Sequence, residues 1–191
     1  MSYSSLAQFS EDIISKEPKE LITRWIRTEQ PHAFASGEAY NQFREKIARD
    51  WPRNEMIAIA GSGNWRYSLN PKKNFSEFHK GSDIDVIVIS QEYFERTWQE
   101  LRTIHKKLWI RWSSDERAAV MRTGQNVYCG FASPKHIPEP RNSYRFDFLK
   151  KCNSYSTRAV EHREVNLMFF KSTEDTVDYY LRGVRLAKGK L

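Results

Sequence analysis

The stretch IAGSGNWRYSLNPKKNFSEFHKGSDIDVIVIS, residues 59–90, carries the strongest indication of the fold. It joins two apolar runs, at 56–60 and 82–90, which we predict to be β-strands. Gly61 ends the first run, and the second run carries two aspartates, Asp83 and Asp85, one residue apart. The pattern raises the question of why a strand that is otherwise apolar holds two carboxylates.

The two aspartates are predicted to lie on one face of the second strand. Side chains alternate across a strand, so Asp83 and Asp85 share a face, and Ile84, Val86 and Val88 share the other. Neighbouring buried carboxylates are costly unless a partner neutralises them. Mg²⁺ prefers carboxylate oxygens, water and phosphate oxygens as ligands, and two carboxylates can share two such ions. The sequence therefore predicts a Mg²⁺ (or Mn²⁺) site at Asp83 and Asp85.

The glycine turn upstream complements this predicted metal site. Gly61, Ser62 and Gly63 follow the first strand and are predicted to open a helix. Glycine lets a backbone come close to a phosphate, and the start of a helix offers free N–H donors. We therefore predict that a nucleoside triphosphate binds between this turn and the aspartates.

The two motifs together resemble a known superfamily. AIAGSG at 58–63 and SDIDVIVI at 82–89 are similar to the signature of the DNA polymerase beta-like nucleotidyltransferases, over about a third of the chain (56–110). The resemblance implies a mixed sheet, dependence on Mg²⁺ or Mn²⁺, and transfer of a nucleoside monophosphate to a hydroxyl, with pyrophosphate leaving. It also implies that Gly61 and Ser62 hold phosphate, and that Asp83 and Asp85 bind metal and are catalytic.

Charge and family context suggest the acceptor and the setting. The chain has a net charge of +7 and a pI near 9.4, which favours polyanionic partners. We expect a nucleic-acid acceptor, an RNA 3′ end in particular, although a protein or small-molecule acceptor stays open. Small stand-alone members of this superfamily often serve as toxins or in phage defence, so the resemblance also implies an antitoxin or another protein partner.

The segment between the two motifs is longer than is usual in the superfamily. It carries the cations Arg66, Lys73 and Lys80, which are candidates to contact phosphates. With Gly63 and Ser82 they complete the predicted nucleotide-binding set. The alternative is that this segment is a solvated surface loop, because runs of charge usually are.

The superfamily usually adds a third carboxylate, from a later strand, as a base and metal ligand. In REVNLMFF (163–170) the corresponding position holds Asn166, and an amide is a weak Mg²⁺ ligand and no useful base. Glu164 and Asp147 are the other candidates, and we prefer Asp147 as the third catalytic residue for its apolar neighbours. If none serves, the chain is a catalytically silent module that binds nucleotide or RNA.

The whole chain, 1–191, is predicted to form one α/β (α+β) domain, a nucleotidyltransferase-type mixed sheet flanked by helices. We divide it into a helical part (1–50), the motif core (51–110) and the remaining sheet with a C-terminal helix (111–191). Helices are predicted at 5–28 in two pieces broken near Pro18, at 38–50, at 91–110 and at 172–190. Further strands are predicted at 126–133 and 163–170, and FDFLKKCNSYS (146–156) is ambiguous.

Other features bear on the compartment and on base stacking. Cys129 and Cys152 have neither metal-ligand spacing nor a disulfide framework, and no stretch resembles a signal peptide or a membrane span. We therefore expect a soluble cytoplasmic protein with reduced cysteines and no membrane partner. Aromatic residues that could stack on bases, but that are more often core residues, are Trp109, Trp112, Tyr128 and Phe131.

Overall fold

The structure is a computed structural model, and it describes residues 3–108, 110, 112–138 and 141–191. Helices and strands alternate along most of this part of the chain. The helices are α1 (Leu6–Ser15), α2 (Pro18–Ile26), α3 (Gly37–Asp50), α4 (Ser62–Trp65), α5 (Gln91–Leu108), α6 (Ser114–Tyr128), α7 (Ser143–Tyr155) and α8 (Thr173–Lys188). The strands are β1 (Met56–Ala60), β2 (Ile84–Ile89), β3 (Phe131–Ala132) and β4 (Val165–Phe170).

The four strands form one mixed sheet in the order β1-β2-β4-β3. Strand β2 pairs antiparallel with β1 and parallel with β4, and β3 pairs antiparallel with β4. The register places Ala60 of β1 and Asn166 of β4 on either side of Asp85 in β2. The predicted α/β class with a mixed sheet is confirmed.

Helices cover both faces of the sheet and bury a core on each. The alternation along β2 sends Ile87 and Ile89 to one face, where they pack with apolar residues of α1, α2 and α8. It sends Ile84, Val86 and Val88 to the other face, where they pack with residues of α3, α5 and α7. These three side chains are fully buried, as the alternating pattern predicts.

The predicted break in the N-terminal helical segment is present. Pro18 is the first residue of α2, where its missing N–H is not needed for helical hydrogen bonding. The C-terminal helix also begins as the sequence indicates. Ser172 precedes α8, and its hydroxyl oxygen accepts a hydrogen bond from the backbone N–H of Asp175.

The strand predicted at 126–133 is largely wrong. Residues 114–128 form α6, which starts at a capping box in which Ser113 and Glu116 bond each other's backbone N–H. The chain turns at Gly130, whose φ of 76° suits glycine, and only Phe131 and Ala132 form the short strand β3. Val127 and Tyr128 thus lie in the last turn of a helix despite their β-propensity.

Candidate functional site

Asp83 and Asp85 lie at the start of the central strand. Asp83 directly precedes β2 and is exposed, while Asp85 is the second residue of the strand and is half-buried. Alternation puts both on the face that Ile87 and Ile89 share, under α8. The pair therefore sits where the polar start of β2 meets the edge of one apolar core.

The surroundings of Asp85 disfavour its charged form. Burial, the largest cause, and the neighbouring Asp83 carboxylate together raise the pKa of Asp85 from 3.8 to about 6. Lys135 and Lys73 oppose this increase through their positive charges. A cation close to Asp85 would favour its charged form.

The glycine turn lies directly against this carboxylate. Ala60 pairs with Asp85 across the antiparallel ladder, so Gly61 emerges beside it. A Cβ placed on Gly61 would be 3.6 Å from Oδ2 of Asp85. Gly61 has φ 65° and ψ −161°, a conformation that essentially only glycine adopts.

A buried asparagine fixes the shape of this turn. The side-chain Nδ2 of Asn64 donates to the backbone oxygens of Ile59 and Trp25, both at 2.7 Å. The following helix, α4, has only four residues, so it contributes little macrodipole. Its first N–H groups, on Ser62 and Gly63, have no intrahelical acceptor.

The turn and the carboxylate pair line one cleft of about 810 Å³. Its walls come from the one-turn helix and the loop after it, from the end of α6, and from one side of α8. Three groups assigned from the sequence meet there with the aspartates: Gly61, Ser62 and Lys73. The other lining residues used below are Trp65, Tyr128, Asp175, Asp178, Tyr179, Tyr180 and Arg182.

The charges in the cleft favour a ligand that brings its own cation. Lys73 and Arg182 are exposed there and positively charged. Among the described lining residues they face four aspartates, the pair and two residues of α8. Of these two, Asp178 forms an ion pair with Lys19 and Asp175 accepts a hydrogen bond from Ser172. A bare polyanion would meet excess negative charge at the pair unless a divalent cation accompanied it.

Aromatic side chains add an apolar surface to the same cleft. Tyr128 is 93% exposed at the end of α6, so its ring is available for stacking. Trp65 is buried, and its indole Nε1 has no hydrogen-bond partner within the described part of the chain. The core interpretation holds for Trp112 and Phe131, which are both buried, and Trp109 lies outside the described residues.

On the side of the pair away from β1, strand β4 brings up a polar cluster. Nδ2 of Asn166 donates to Oδ2 of Asp83 at 3.1 Å. Nζ of Lys135 donates to Oδ1 of Asn166 at 2.7 Å and to Oε1 of Glu164 at 2.8 Å. The lysine lies in a short 3-10 turn, Pro134–His136, beyond β3. Asn166 thus occupies the position beside the pair that the resemblance assigns to a third carboxylate.

Asp147 is not part of this site, and the preference for it has to be corrected. It lies on α7 and is exposed, rather than in a strand. The buried side of α7, with Phe148 and Tyr155, packs on the sheet face opposite the aspartates. Of its two apolar neighbours, Phe148 belongs to the buried side of the helix, whereas Phe146 is 63% exposed.

Four residues of the predicted nucleotide-binding set do not line the cleft. Gly63 packs against the sheet, where an added Cβ would lie 3.5 Å from both Ile59 and Phe78. Arg66 bonds Glu77 and the backbone oxygens of Tyr3 and Ser4, which ties the loop to the N-terminal segment. Lys80 is an exposed loop residue, and Ser82 closes a turn by accepting a hydrogen bond from the N–H of His79.

Two residues near the site were missed by the sequence reasoning. Asn64 lies inside the predicted turn but carries no motif, and Lys135 lies in a proline-rich loop. A buried asparagine straight after a glycine turn is a weak local signal for backbone bonding. Nothing local marks Lys135, because its contact with Asn166 spans 31 residues of chain.

The donor set at the pair fits a hard divalent cation with incomplete protein ligation. Two carboxylates can supply oxygens, and Mg²⁺ takes its remaining ligands from water and phosphate in such sites. No group of three or more histidine, cysteine, aspartate or glutamate side chains that could enclose a metal occurs within the described ranges. The pair is thus suited to a cation that arrives with a phosphate ligand.

Comparisons of the chain with protein-family models, curated proteins and solved structures found no match. Among the helices of the described residues, none has the length and apolar composition needed to cross a membrane. Both cysteines are free, Cys129 exposed and Cys152 buried.

Proposed function

We propose that the protein is a metal-dependent nucleotidyltransferase, which transfers a nucleoside monophosphate from a triphosphate to a hydroxyl acceptor. One observation carries the proposal: the glycine turn at Gly61 lies against the half-buried Asp85 across an antiparallel ladder. In the proposed reaction the backbone of this turn binds phosphate and the carboxylate binds metal, and both line a cleft large enough for a nucleotide.

The side chains of the cleft have distinct roles in the proposed reaction. Asp83 and Asp85 would hold Mg²⁺ or Mn²⁺, which supplies charge neutralisation at the phosphates when bound. Backbone N–H groups of the turn at Ser62 and the ammonium of Lys73 bind phosphate oxygens, and Tyr128 stacks on the base. The acceptor oxygen forms a bond to the α-phosphorus. The bond between the α-phosphorus and the oxygen that bridges it to the β-phosphate breaks. Its electron pair leaves with pyrophosphate, while the hydroxyl proton passes to water at the exposed Asp83 end.

The acceptor we propose is RNA, in line with the net charge of +7. A toxin or phage-defence context, with an antitoxin as partner, follows from the resemblance alone. We expect both the RNA acceptor and the antitoxin partner to be cytoplasmic.

A second candidate is a catalytically silent nucleotide- or RNA-binding module. It is favoured by Asn166, because the position beside the pair holds an amide that Lys135 and Asp83 already engage. Against it, a chain released from catalysis would gain stability by losing the half-buried carboxylate of Asp85. We therefore favour the enzyme.

The decisive experiment is label transfer. The protein is incubated with each of the four α-labelled ribonucleoside triphosphates, Mg²⁺ or Mn²⁺, and total cellular RNA. The comparison variants are Asp83→Ala, the double variant Asp83→Ala with Asp85→Ala, and Asp147→Ala as a matched aspartate on the other face of the sheet. Label is expected on RNA with the wild type and Asp147→Ala, and with neither of the other variants.

Two outcomes would contradict the proposal, the first its active site and the second the activity itself. Transfer that survives in the double variant would show that the pair is not catalytic. Nucleotide binding without any transfer or release of pyrophosphate would favour the silent module, and Asn166→Asp would then be the variant that tests whether a carboxylate restores transfer.

A further inference from the structure

The carboxylate pair has two unlike sides. Toward β1 lies the open cleft with the glycine turn. Toward β4 lies the chain of contacts that runs from Asp83 through Asn166 to Lys135 and Glu164. Neither Asn166 nor Lys135 lines the cleft. The two sides therefore present different chemistry to a ligand.

The amide of Asn166 is already fully oriented. Its Nδ2–H group points at Oδ2 of Asp83, and its Oδ1 accepts from the ammonium of Lys135 at 2.7 Å. The one good metal ligand on this amide, Oδ1, thus faces a positive charge. A divalent cation bound there would have to displace the lysine or lie beside it, with strong like-charge repulsion.

The lysine is held in this position by two further contacts. Nζ of Lys135 forms an ion pair with Oε1 of Glu164 at 2.8 Å. Upstream, the hydroxyl of Ser133 donates to the backbone oxygen of Leu167 at 3.1 Å, which fixes the segment along β4. The Lys135–Glu164 pair is exposed, so its contribution to the free energy of unfolding is small. Stability alone does not account for a cation at this point.

We propose that the pair binds a single divalent cation, and that the ammonium of Lys135 supplies the positive charge on the β4 side, where a second cation would otherwise bind. This inference rests on the proposed function, because it concerns the metal requirement of the same site. It assigns the one cation to the cleft side, with the triphosphate.

The test counts bound Mn²⁺, so it needs no activity. Free Mn²⁺ is measured by electron paramagnetic resonance while the full chain is titrated with a non-hydrolysable α,β-methylene triphosphate present, and the analogue alone is subtracted. The variants are the double variant Asp83→Asn with Asp85→Asn, and the double variant Lys135→Met with Asn166→Asp. Lys171→Met is the control, an exposed lysine just past the other end of β4. Circular dichroism is used to check that each variant is folded.

The expected counts are one ion for the wild type and Lys171→Met, none for the double aspartate variant, and two for Lys135→Met with Asn166→Asp. Two ions on the wild type, both lost with the aspartates, would overturn this inference and leave the proposed function in place. A single ion that remains single in the Lys135 and Asn166 double variant would also overturn it. No ion on the wild type would overturn the metal-dependent function itself.

Discussion

Asn166 donates a hydrogen bond to Asp83 between the parallel strands β4 and β2, over 3.1 Å. The two residues are 83 positions apart in the chain. Through Asn166 this contact connects the predicted metal-binding pair to the ammonium of Lys135. The contact also bears on the choice between the enzyme and the silent binding module, because an amide rather than a third carboxylate lies beside the pair.

Replacement of Asp85 by asparagine is expected to stabilise the protein at neutral pH while removing metal binding. Since the folded pKa of Asp85, about 6, lies above the ordinary 3.8, the folded state binds the proton more tightly. The contribution of Asp85 to wild-type stability is therefore highest below about pH 4 and falls as the pH rises to about 6. The variant avoids this loss, so its free energy of unfolding at pH 7 should exceed the wild-type value by roughly 2–3 kcal/mol.

Urea denaturation of both proteins between about pH 4 and pH 7 measures this difference. The control is Asp147→Asn, an exposed aspartate on α7 for which we expect no change. If the difference in the free energy of unfolding between the wild type and Asp85→Asn stays constant across this pH range, the pKa of Asp85 is not raised in the folded protein.

Gly61→Ala is expected to strain the turn without a steric clash. The added Cβ would be in ordinary contact with Asp85, at 3.6 Å, but alanine tolerates φ 65°, ψ −161° poorly. We expect a loss of about 1–3 kcal/mol in the free energy of unfolding, and weaker binding of a nucleotide analogue as the turn relaxes. Denaturation and calorimetric titration measure the two effects.

A matched glycine on α6 serves as the control. Gly124 has open space around its Cβ position, so Gly124→Ala should raise helix stability by up to about 1 kcal/mol. Equal effects of the two substitutions would mean that the conformation of Gly61 is not special.

Lys73→Ala is expected to weaken binding of a nucleoside triphosphate roughly tenfold, because an ammonium near the phosphates is lost. Its neighbour Lys72 is also exposed but does not line the cleft, so Lys72→Ala should leave the dissociation constant unchanged. Calorimetric titration at two salt concentrations compares them. If both variants lose affinity equally, the loop acts only through its total charge, as a solvated loop would.

Arg66→Ala is expected to cost stability rather than nucleotide affinity. The guanidinium bonds Glu77 and two backbone oxygens near the N-terminus, so its loss should lower the free energy of unfolding by about 1–2 kcal/mol. Arg53→Ala, which removes a more exposed pair with Glu92, should have little effect. A triphosphate affinity reduced by Arg66→Ala at unchanged stability would restore the phosphate-binding role that we first assigned to this arginine.

Local patterns predicted the parts of the fold that depend on neighbouring residues. Strands β1 and β2 follow from short apolar runs, and the burial of Ile84, Val86 and Val88 follows from alternation. The strand predicted at 126–133 was largely wrong because it, too, was inferred from neighbouring residues alone. A capping box at Ser113 begins a helix whose weak apolar periodicity gave no sign of how far it extends.

The sequence by itself determined that two carboxylates share a strand face and that a glycine turn precedes them, because alternation and turn geometry depend on adjacent residues. Only the tertiary structure decided what surrounds them. In that structure Asp147 lies on a helix that packs on the opposite face of the sheet, Arg66 bonds the N-terminal segment, and Lys135 contacts Asn166. These placements depend on strand order and helix packing, which join residues far apart in the chain, and no local spacing encodes such distances.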